Sequence, residues 1–339
     1  MLLAETACSA ARFNAFAFFA ALRETSYVHT LLTTDYNEAA AVIRQGGIVA
    51  FPTETVYGLG ANVFDEKAIA NIFEAKHRPA DNPLIAHIAR IEQIGELSNE
   101  VSSCARSFID SFFPGPLTVV LTKSDKVPAI ATAGLDTIGV RMPRFDFARD
   151  FLSACGVPVV APSANLSGRP SPTTWQAVLE DLDGRIDCVL QGNPTEIGLE
   201  STVVDCSGAV PMLLREGAVS LGELRAVVPE TIEYRPVASD APRSPGLKHR
   251  HYSPTAEVYI VDSTFEISNF KSVAFIGLCE PRNRADLIKV CTSAEEYAHS
   301  LFEFFRECDR RGIETIYCEE IATAGIGAAL MDRLRRAAE

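Results

Sequence analysis

Lys76, His77 and Arg78 follow a helix-like segment and stop at Pro79, with Asn82 and His87 close behind. Two cations on a loop at the end of a helix suit a phosphate or a carboxylate. The same pair also suits a solvated close to the helix dipole, and at this level both readings stand. His87 falls inside an apolar strand, where a buried, hydrogen-bonded histidine is the common outcome. Thr53, Glu54 and Thr55 come directly after Pro52 and lead into Tyr57, Gly58 and Gly60. A strand that stops at the proline delivers these hydroxyls to the carboxyl end of a sheet, and the glycines let backbone approach a ligand closely. Ser163, Asn165, Ser167 and Gly168 repeat the arrangement after Pro162, although Ser167-Gly168 also reads as a plain turn. Ser163 has no GxSxG elbow around it, so a serine nucleophile is not indicated. Glu200-Ser201-Thr202 and Arg215-Glu216-Gly217 are ordinary singly. Together the five groups place polar or basic residues at the ends of short apolar strands, which is how a shared cleft over a sheet is built.

Such a cleft needs elements to hold it. Periodicity and turn residues predict helices over 37–45, 66–74, 94–110, 146–154 and 173–182. They predict strands over 48–51, 84–88, 117–121, 138–141, 157–160, 188–191, 201–205 and 212–215. This alternation implies a mixed-sheet α/β domain over residues 33–235. Residues 236–255 read as a linker, with four prolines and little apolar content. That linker also concentrates Lys248, His249, Arg250, His251 and Tyr252, so both a tether and a functional segment fit it. Residues 256–339 predict strands at 257–262, 272–276 and 315–318, with helices at 294–311 and 326–336. That is a smaller, parallel, Rossmann-like α/β domain. Gly325-Ile326-Gly327 is not a dinucleotide fingerprint and reads as a loop opening a helix.

The length supports about two domains. With 31 Lys+Arg against 44 Asp+Glu, the net charge is −13. This disfavours nucleic-acid binding through a general basic surface, so anionic substrates need a local positive pocket. The nine cysteines form no CxxC pair and no zinc-ligand spacing, and read as small buried hydrophobes in a reducing compartment. No apolar run approaches the ~20 residues of a membrane span. Residues 10–22 are apolar but broken by Arg12 and Asn14, and Glu5 precedes them. Residues 1–32 are read as an N-terminal extension, an extra helix or an over-long start, with an organelle presequence as the alternative.

The strings PTETVYGLG (52–60), KHRP (76–79), PLIAHI (83–88), FPGPLT (113–118), GVRMP (139–143), SANLSG (163–168), EST (200–202) and LREG (214–217) resemble the YrdC-like threonylcarbamoyl-AMP synthases. SPGLKHRHYSP (244–254) and the segment after it resemble the two-domain branch of that family. The resemblance implies a YrdC-like twisted mixed β-sheet flanked by helices, plus the Rossmann-like domain. It implies L-threonine, bicarbonate and ATP as substrates, with Mg2+ accompanying ATP, and L-threonylcarbamoyladenylate and pyrophosphate as products. Separate tRNA threonylcarbamoyltransferase proteins would use the adenylate to make N6-threonylcarbamoyladenosine at position 37 of tRNAs reading ANN codons. The family setting is cytoplasmic, with no membrane and weak or no direct tRNA binding. By position, Thr55, His87, Arg141, Ala161 and Ser201 would bind threonine. Arg78, Asn82, Thr137, Ser163, Ser171, Arg215 and Tyr252 would bind ATP. Lys76, Arg78, Ser163 and Asn165 form the catalytic signature, and no metal-contacting residue is assigned.

The chemistry gathers a carboxylate, a carbamate and a triphosphate, whose repulsion Lys76, Arg78, Arg141, Arg215 and a metal must offset. Arg141 suits a bidentate grip on the threonine carboxylate. The linker, through Tyr252 and its basic neighbours, would close over the cleft as a lid. Two alternatives are weighed against this. One is a double-stranded RNA-binding module of the same fold, and the other is a carbamoyl-phosphate-using module of the carbamoyltransferase type.

Overall fold

The computed structural model describes residues 29–234, 252–267 and 272–339. The first stretch builds one eleven-stranded mixed sheet. Its strands are β1 (Leu31–Thr33), β2 (Val49–Phe51), β3 (Gly58–Asn62), β4 (Ile85–His87), β5 (Leu117–Thr122), β6 (Thr137–Arg141), β7 (Val159–Val160), β8 (Cys188–Leu190), β9 (Thr202–Asp205), β10 (Met212–Arg215) and β11 (Ile232–Glu233). Their spatial order is β1-β8-β2-β3-β7-β4-β6-β5-β9-β10-β11. The central strands are buried on both faces, which is why they read as short unbroken apolar runs. Parallel β4 and β6 set His87 beside Arg141 in register, so both side chains leave the sheet at one level. Antiparallel β9 and β10 bring Arg215 back beside Val203.

Helices cover this sheet: α1 (Tyr36–Arg44), α2 (Glu66–Ala75), α3 (Ile94–Leu97), α4 (Ser103–Phe112), α5 (Asp146–Cys155), α6 (Trp175–Leu182) and α7 (Leu221–Val227). Side-chain caps start most of them. Asp35 accepts from Asn37 N, Asp65 from Ala68 N and Thr174 from Ala177 N. The single helix expected over 94–110 is two helices. The Ser98 hydroxyl donates to the carbonyls of Glu100 and Thr122, and Ser102 caps a fresh start at Ser103. Strand β3 was not expected, because its glycines read as loop. They are there for closeness: a Cβ on Gly60 would lie 2.7 Å from Val159 Cγ1 and 3.0 Å from the Phe51 ring. The sheet takes in Leu31 and Leu32, ahead of the expected start near Thr33.

The C-terminal unit is a four-stranded, all-parallel sheet of β12 (Glu257–Val261), β13 (Val273–Gly277), β14 (Leu287–Val290) and β15 (Thr315–Glu319), in the order β12-β15-β13-β14. Helices α8 (Ala294–Arg311) and α9 (Ile326–Ala338) pack on it and on each other. Gly325 precedes α9, as the loop-and-helix reading anticipates. The two units share an apolar cluster in which Val56 and Leu199 meet Tyr252, Phe302 and neighbouring residues of α8 and α9. Among the described residues no helix is long and apolar enough to cross a membrane. Eight described cysteines are unpaired, and of these only Cys279 is exposed.

Candidate active site

One wall of the cleft grows from the ends of β2, β4 and β6. After Phe51 the chain turns through Thr53, whose hydroxyl donates to Val56 O at 2.7 Å and lies 2.9 Å from Thr55 Oγ1. Arg141 Nη1 donates to Thr55 Oγ1 at 2.8 Å, and its Nε donates to Gly115 O at 3.3 Å. Arg141 Nη2 lies 2.8 Å from Glu54 Oε1, an ion pair between side chains 5% and 0% exposed. The approach is off the line of a hydrogen bond, so neither Glu54 oxygen nor Nη2 has a hydrogen-bond partner. Burial alone would raise the Glu54 carboxyl, but the adjacent Arg141 charge prevails and holds it below its ordinary value. His87 is buried edge-on to Phe51, with Nδ1 3.2 Å from Ile85 O. A carbonyl only accepts, so Nδ1 carries the proton. Burial, helped by the nearby Arg141 charge, pushes the His87 pKa down to about 3, and the ring is neutral at physiological pH.

The floor is the junction of α2 with the loop after β7. His77 takes φ +48°, Arg78 N donates to Phe73 O, and His77 N donates to Glu74 O. This left-handed helix close turns the chain sharply and sends the flanking Lys76 and Arg78 inward. Lys76 is 2% exposed and donates to Ser163 O and Asn165 O, both at 2.5 Å. The solvated-dipole reading of this pair is therefore corrected: Lys76 is an internal strut of the loop. Burial, then the Arg78 charge, pulls the Lys76 pKa well below its ordinary value. Ser163 Oγ donates to Asn165 Oδ1, and Asn165 Nδ2 donates to Leu166 O and Arg169 O. Arg78 donates to Asn82 O at 3.1 Å, and burial lowers its pKa to about 10. Arg78 Nε and both amide atoms of Asn82 are buried without hydrogen-bond partners. Orphaned donors and an orphaned acceptor together are groups that a polar ligand would satisfy.

The far wall joins β9 and β10 to the C-terminal unit. Arg215 Nε donates to Ser201 O at 3.0 Å and Nη2 to Ser201 Oγ at 3.2 Å, while Ser201 Oγ lies 2.8 Å from Thr118 Oγ1. Burial pulls the Arg215 pKa down. Gly217 permits the fold-back, because a Cβ there would stand 2.2 Å from Thr202 N. Ser171 donates to Glu200 Oε1, and Arg333 Nε donates to Glu200 Oε2 at 2.8 Å. Tyr252 stacks on Phe302 with centroids 5.4 Å apart, and Ser253 N donates to Gly168 O.

A family model described as "Telomere recombination" matches residues 41–217, and one described as "Threonylcarbamoyl-AMP synthase, C-terminal domain" matches residues 219–339. The threonylcarbamoyl-AMP synthase of Pyrococcus abyssi is 44% identical over 316 residues, 88% of this chain and 92% of that one. That of Bacillus subtilis is 39% identical over 318 residues, 89% of this chain and 92% of that one. The crystal structure of P. abyssi Sua5 complexed with L-threonine superposes with a TM-score of 0.84 at 42% identity, covering 92% of this chain and 98% of that one. The chain belongs to the threonylcarbamoyl-AMP synthase family. The synthase fold expected from the sequence, a large mixed sheet with a smaller parallel one, is the fold observed.

Of the residues that family resemblance singled out, Thr55, Arg78, His87, Arg141, Ala161, Ser163, Asn165, Ser201, Arg215 and Tyr252 line one cavity of this synthase. Lys76, Asn82 and Ser171 stand directly behind its wall, each buried. Thr137 is not part of the wall. It lies four residues from Arg141, on the same face of β6 and about 13 Å along the strand, beside Thr122. Most of the expected lid, residues 236–251 of 236–255, falls outside the described residues, as does most of the N-terminal extension. In sequence, Glu54 and Glu200 stand out only as members of TET and EST. Burial makes them the partners of Arg141 and Arg333. Arg169 also lines the cavity. The internal role of Arg333 had no local signal, because its helix reads as an ordinary amphipathic one.

Proposed function

We propose that this cleft joins L-threonine, bicarbonate and ATP into L-threonylcarbamoyladenylate, releasing pyrophosphate. The carrying observation is that Arg78, Arg141 and Arg215 converge on one cavity, with Lys76 behind it, in a chain of net charge −13. Three anionic groups must meet there, and a buried cluster of fixed cations offsets their repulsion at low reorganisation cost.

The threonine carboxylate would take the Arg141 guanidinium, which lines the cavity and is held in place by Glu54 and Thr55. Thr55, neutral His87, Ser201 and the backbone of Ala161 would surround the amino acid. A site that hydrogen-bonds the threonine hydroxyl rejects valine through unpaired polar groups. The threonine amine attacks the bicarbonate carbon and water leaves, giving the carbamate. A carbamate oxygen then attacks the α-phosphorus, and the bridging oxygen departs with pyrophosphate. Arg78, Asn82, Ser163, Ser171, Arg215 and Tyr252 would hold the nucleotide, while Lys76 and Asn165 keep the Ser163 loop rigid beneath it. No step needs a covalent enzyme intermediate, so positioning and charge stabilisation carry the rate.

Glu200 lines this cleft and Glu54 stands beside Thr55 and Arg141 of its wall, and each is committed to an arginine. Among the described residues no group of three or more potential ligands is arranged for a metal. The described residues do not offer a magnesium cage of acidic side chains. Mg2+ is proposed to arrive as part of the ATP substrate, held by phosphate oxygens and water. The product would pass in the cytoplasm to the proteins that modify tRNA adenosine at position 37, with no direct tRNA binding required of this chain. Incubation with Mg·ATP, bicarbonate and threonine, followed by mass spectrometry, tests the reading. Threonine-dependent threonylcarbamoyl-AMP supports it, and pyrophosphate release without threonine dependence defeats it.

A further inference from the structure

The two walls of the cleft are not built alike. The side chains of Glu54, Thr55, His87 and Arg141 find all their hydrogen-bond and ion-pair partners within residues 29–234. The opposite wall takes an arginine from the C-terminal unit. Arg333 of α9 is fully buried, yet every polar contact it makes outside its own helix points into the cleft wall. Its Nε donates to Glu200 Oε2 at 2.8 Å, and its Nη2 donates to Glu216 O at 3.0 Å, one residue beyond Arg215. Its guanidinium carbon lies 5.1 Å from the centre of the Tyr252 ring. Glu200 lines the cavity and takes the Ser171 hydroxyl on its other oxygen.

We propose that Arg333 is a positioning residue for the nucleotide half of the cleft. It acts through Glu200, the strand end that carries Arg215, and Tyr252, and touches none of Thr55, His87 and Arg141 on the opposite wall. The physical reason is charge. A bare carboxylate at Glu200 would face the incoming triphosphate and repel it, and would also draw Arg215 toward itself. Arg333 neutralises that carboxylate and fixes its orientation, so that Ser171 and Arg215 keep their places for the ligand. A lysine in its place would keep the charge but lose the forked geometry that reaches Glu200 and Glu216 O together.

The inference deepens the assignment of ATP to this wall, and its test separates the two. In the full-length protein, Arg333→Gln is expected to raise the KM for Mg·ATP by at least ~10-fold and to leave the KM for threonine within about twofold. Arg333→Lys is expected to fall between Arg333→Gln and the parent. Glu200→Gln added to Arg333→Gln removes the uncompensated charge and is expected to recover part of the ATP affinity. The same change restores folding if the single variant is unstable. Calorimetric Kd values for ATP and for threonine, measured apart from turnover, read the inference whatever product the parent protein makes. The product of the parent protein judges the assignment itself. Equal losses for both substrates, or a double variant no better than the single one, would overturn the positioning role.

Discussion

The side proposed for threonine and the side proposed for the nucleotide solve the same problem, a buried arginine beside a buried carboxylate, in different ways. Glu54 follows β2 and Arg141 ends β6, both strands of the large sheet, and the pair is complete within one unit. Glu200 and Arg333 come from different units, and the contact exists only when the C-terminal unit is docked. Burying such a pair brings little net stability, but breaking it by removing one member costs heavily. The lesson is that the wall proposed for the amino acid is a property of the sheet, whereas the wall proposed for the nucleotide is a property of the assembly of both units.

The largest expected effect comes from breaking the self-contained pair. Arg141→Gln leaves Glu54 buried and uncompensated, and should cost about 3–5 kcal/mol of stability. It should also raise the KM for threonine by roughly 100-fold, with ATP little affected. Denaturant unfolding and steady-state kinetics check both parts, and an unchanged threonine KM would remove Arg141 from the amino-acid site. Next is Arg306, whose 1%-exposed side chain donates to Asp181 and Pro170 O from α8. Asp181 also accepts from Leu166 N, in the loop that carries Ser163 and Asn165. Arg306→Gln should therefore lose about 3–5 kcal/mol and weaken ATP more than threonine. A purely stabilising role would lower the unfolding midpoint and leave both KM values alone.

The third effect is acid sensitivity, and it belongs to the wall built by Glu54, His87 and Arg141. The folded His87 pKa of about 3 lies below the ordinary value of 6.5. Below pH 6.5 the unfolded chain takes up a proton that the folded protein refuses. The stabilising contribution of neutral His87 is thus complete above that pH and is lost as pH falls toward 3. The slope approaches ~1.4 kcal/mol per pH unit within that window. The depressed Glu54 carboxyl adds a loss of the same sign, beginning below its ordinary value of 4.5. His87→Gln should flatten the stability profile between pH 6.5 and 5, and a profile as steep as the parent's would contradict the neutral, buried ring. The smallest effect is at Thr137. Its position along β6 suits the far end of a long ligand lying over the sheet. Thr137→Ala should weaken ATP by about threefold, or ~0.6 kcal/mol, and spare threonine; a larger loss for threonine would break the assignment of sides.

Much of this division was already written in local sequence. Thr55, Ser163, Ser201 and Arg215 sit at strand ends marked by proline or glycine, and strand ends converge whatever the details of the sheet. The signature Lys76 was legible as a residue but not as a strut, because its inward turn depends on His77 adopting a left-handed backbone, which a histidine does not advertise. Strand β3 was hidden because Gly58 answers to Ala161 and Gly60 to Val159, each about a hundred residues away in sequence. Arg306 and Arg333 were hidden for a similar reason. Each lies on a helix whose pattern is satisfied without it, and its partner is more than a hundred residues away. Contacts between units leave no periodic trace.

The most direct test is a crossed measurement of both substrates in both arginine variants. Arg141→Gln and Arg333→Gln, assayed side by side with Mg·ATP, bicarbonate and threonine, should give opposite patterns. The first should lose threonine and keep ATP, and the second should lose ATP and keep threonine. Parallel losses of both substrates in both variants would contradict a cleft divided between the sheet and the assembled units.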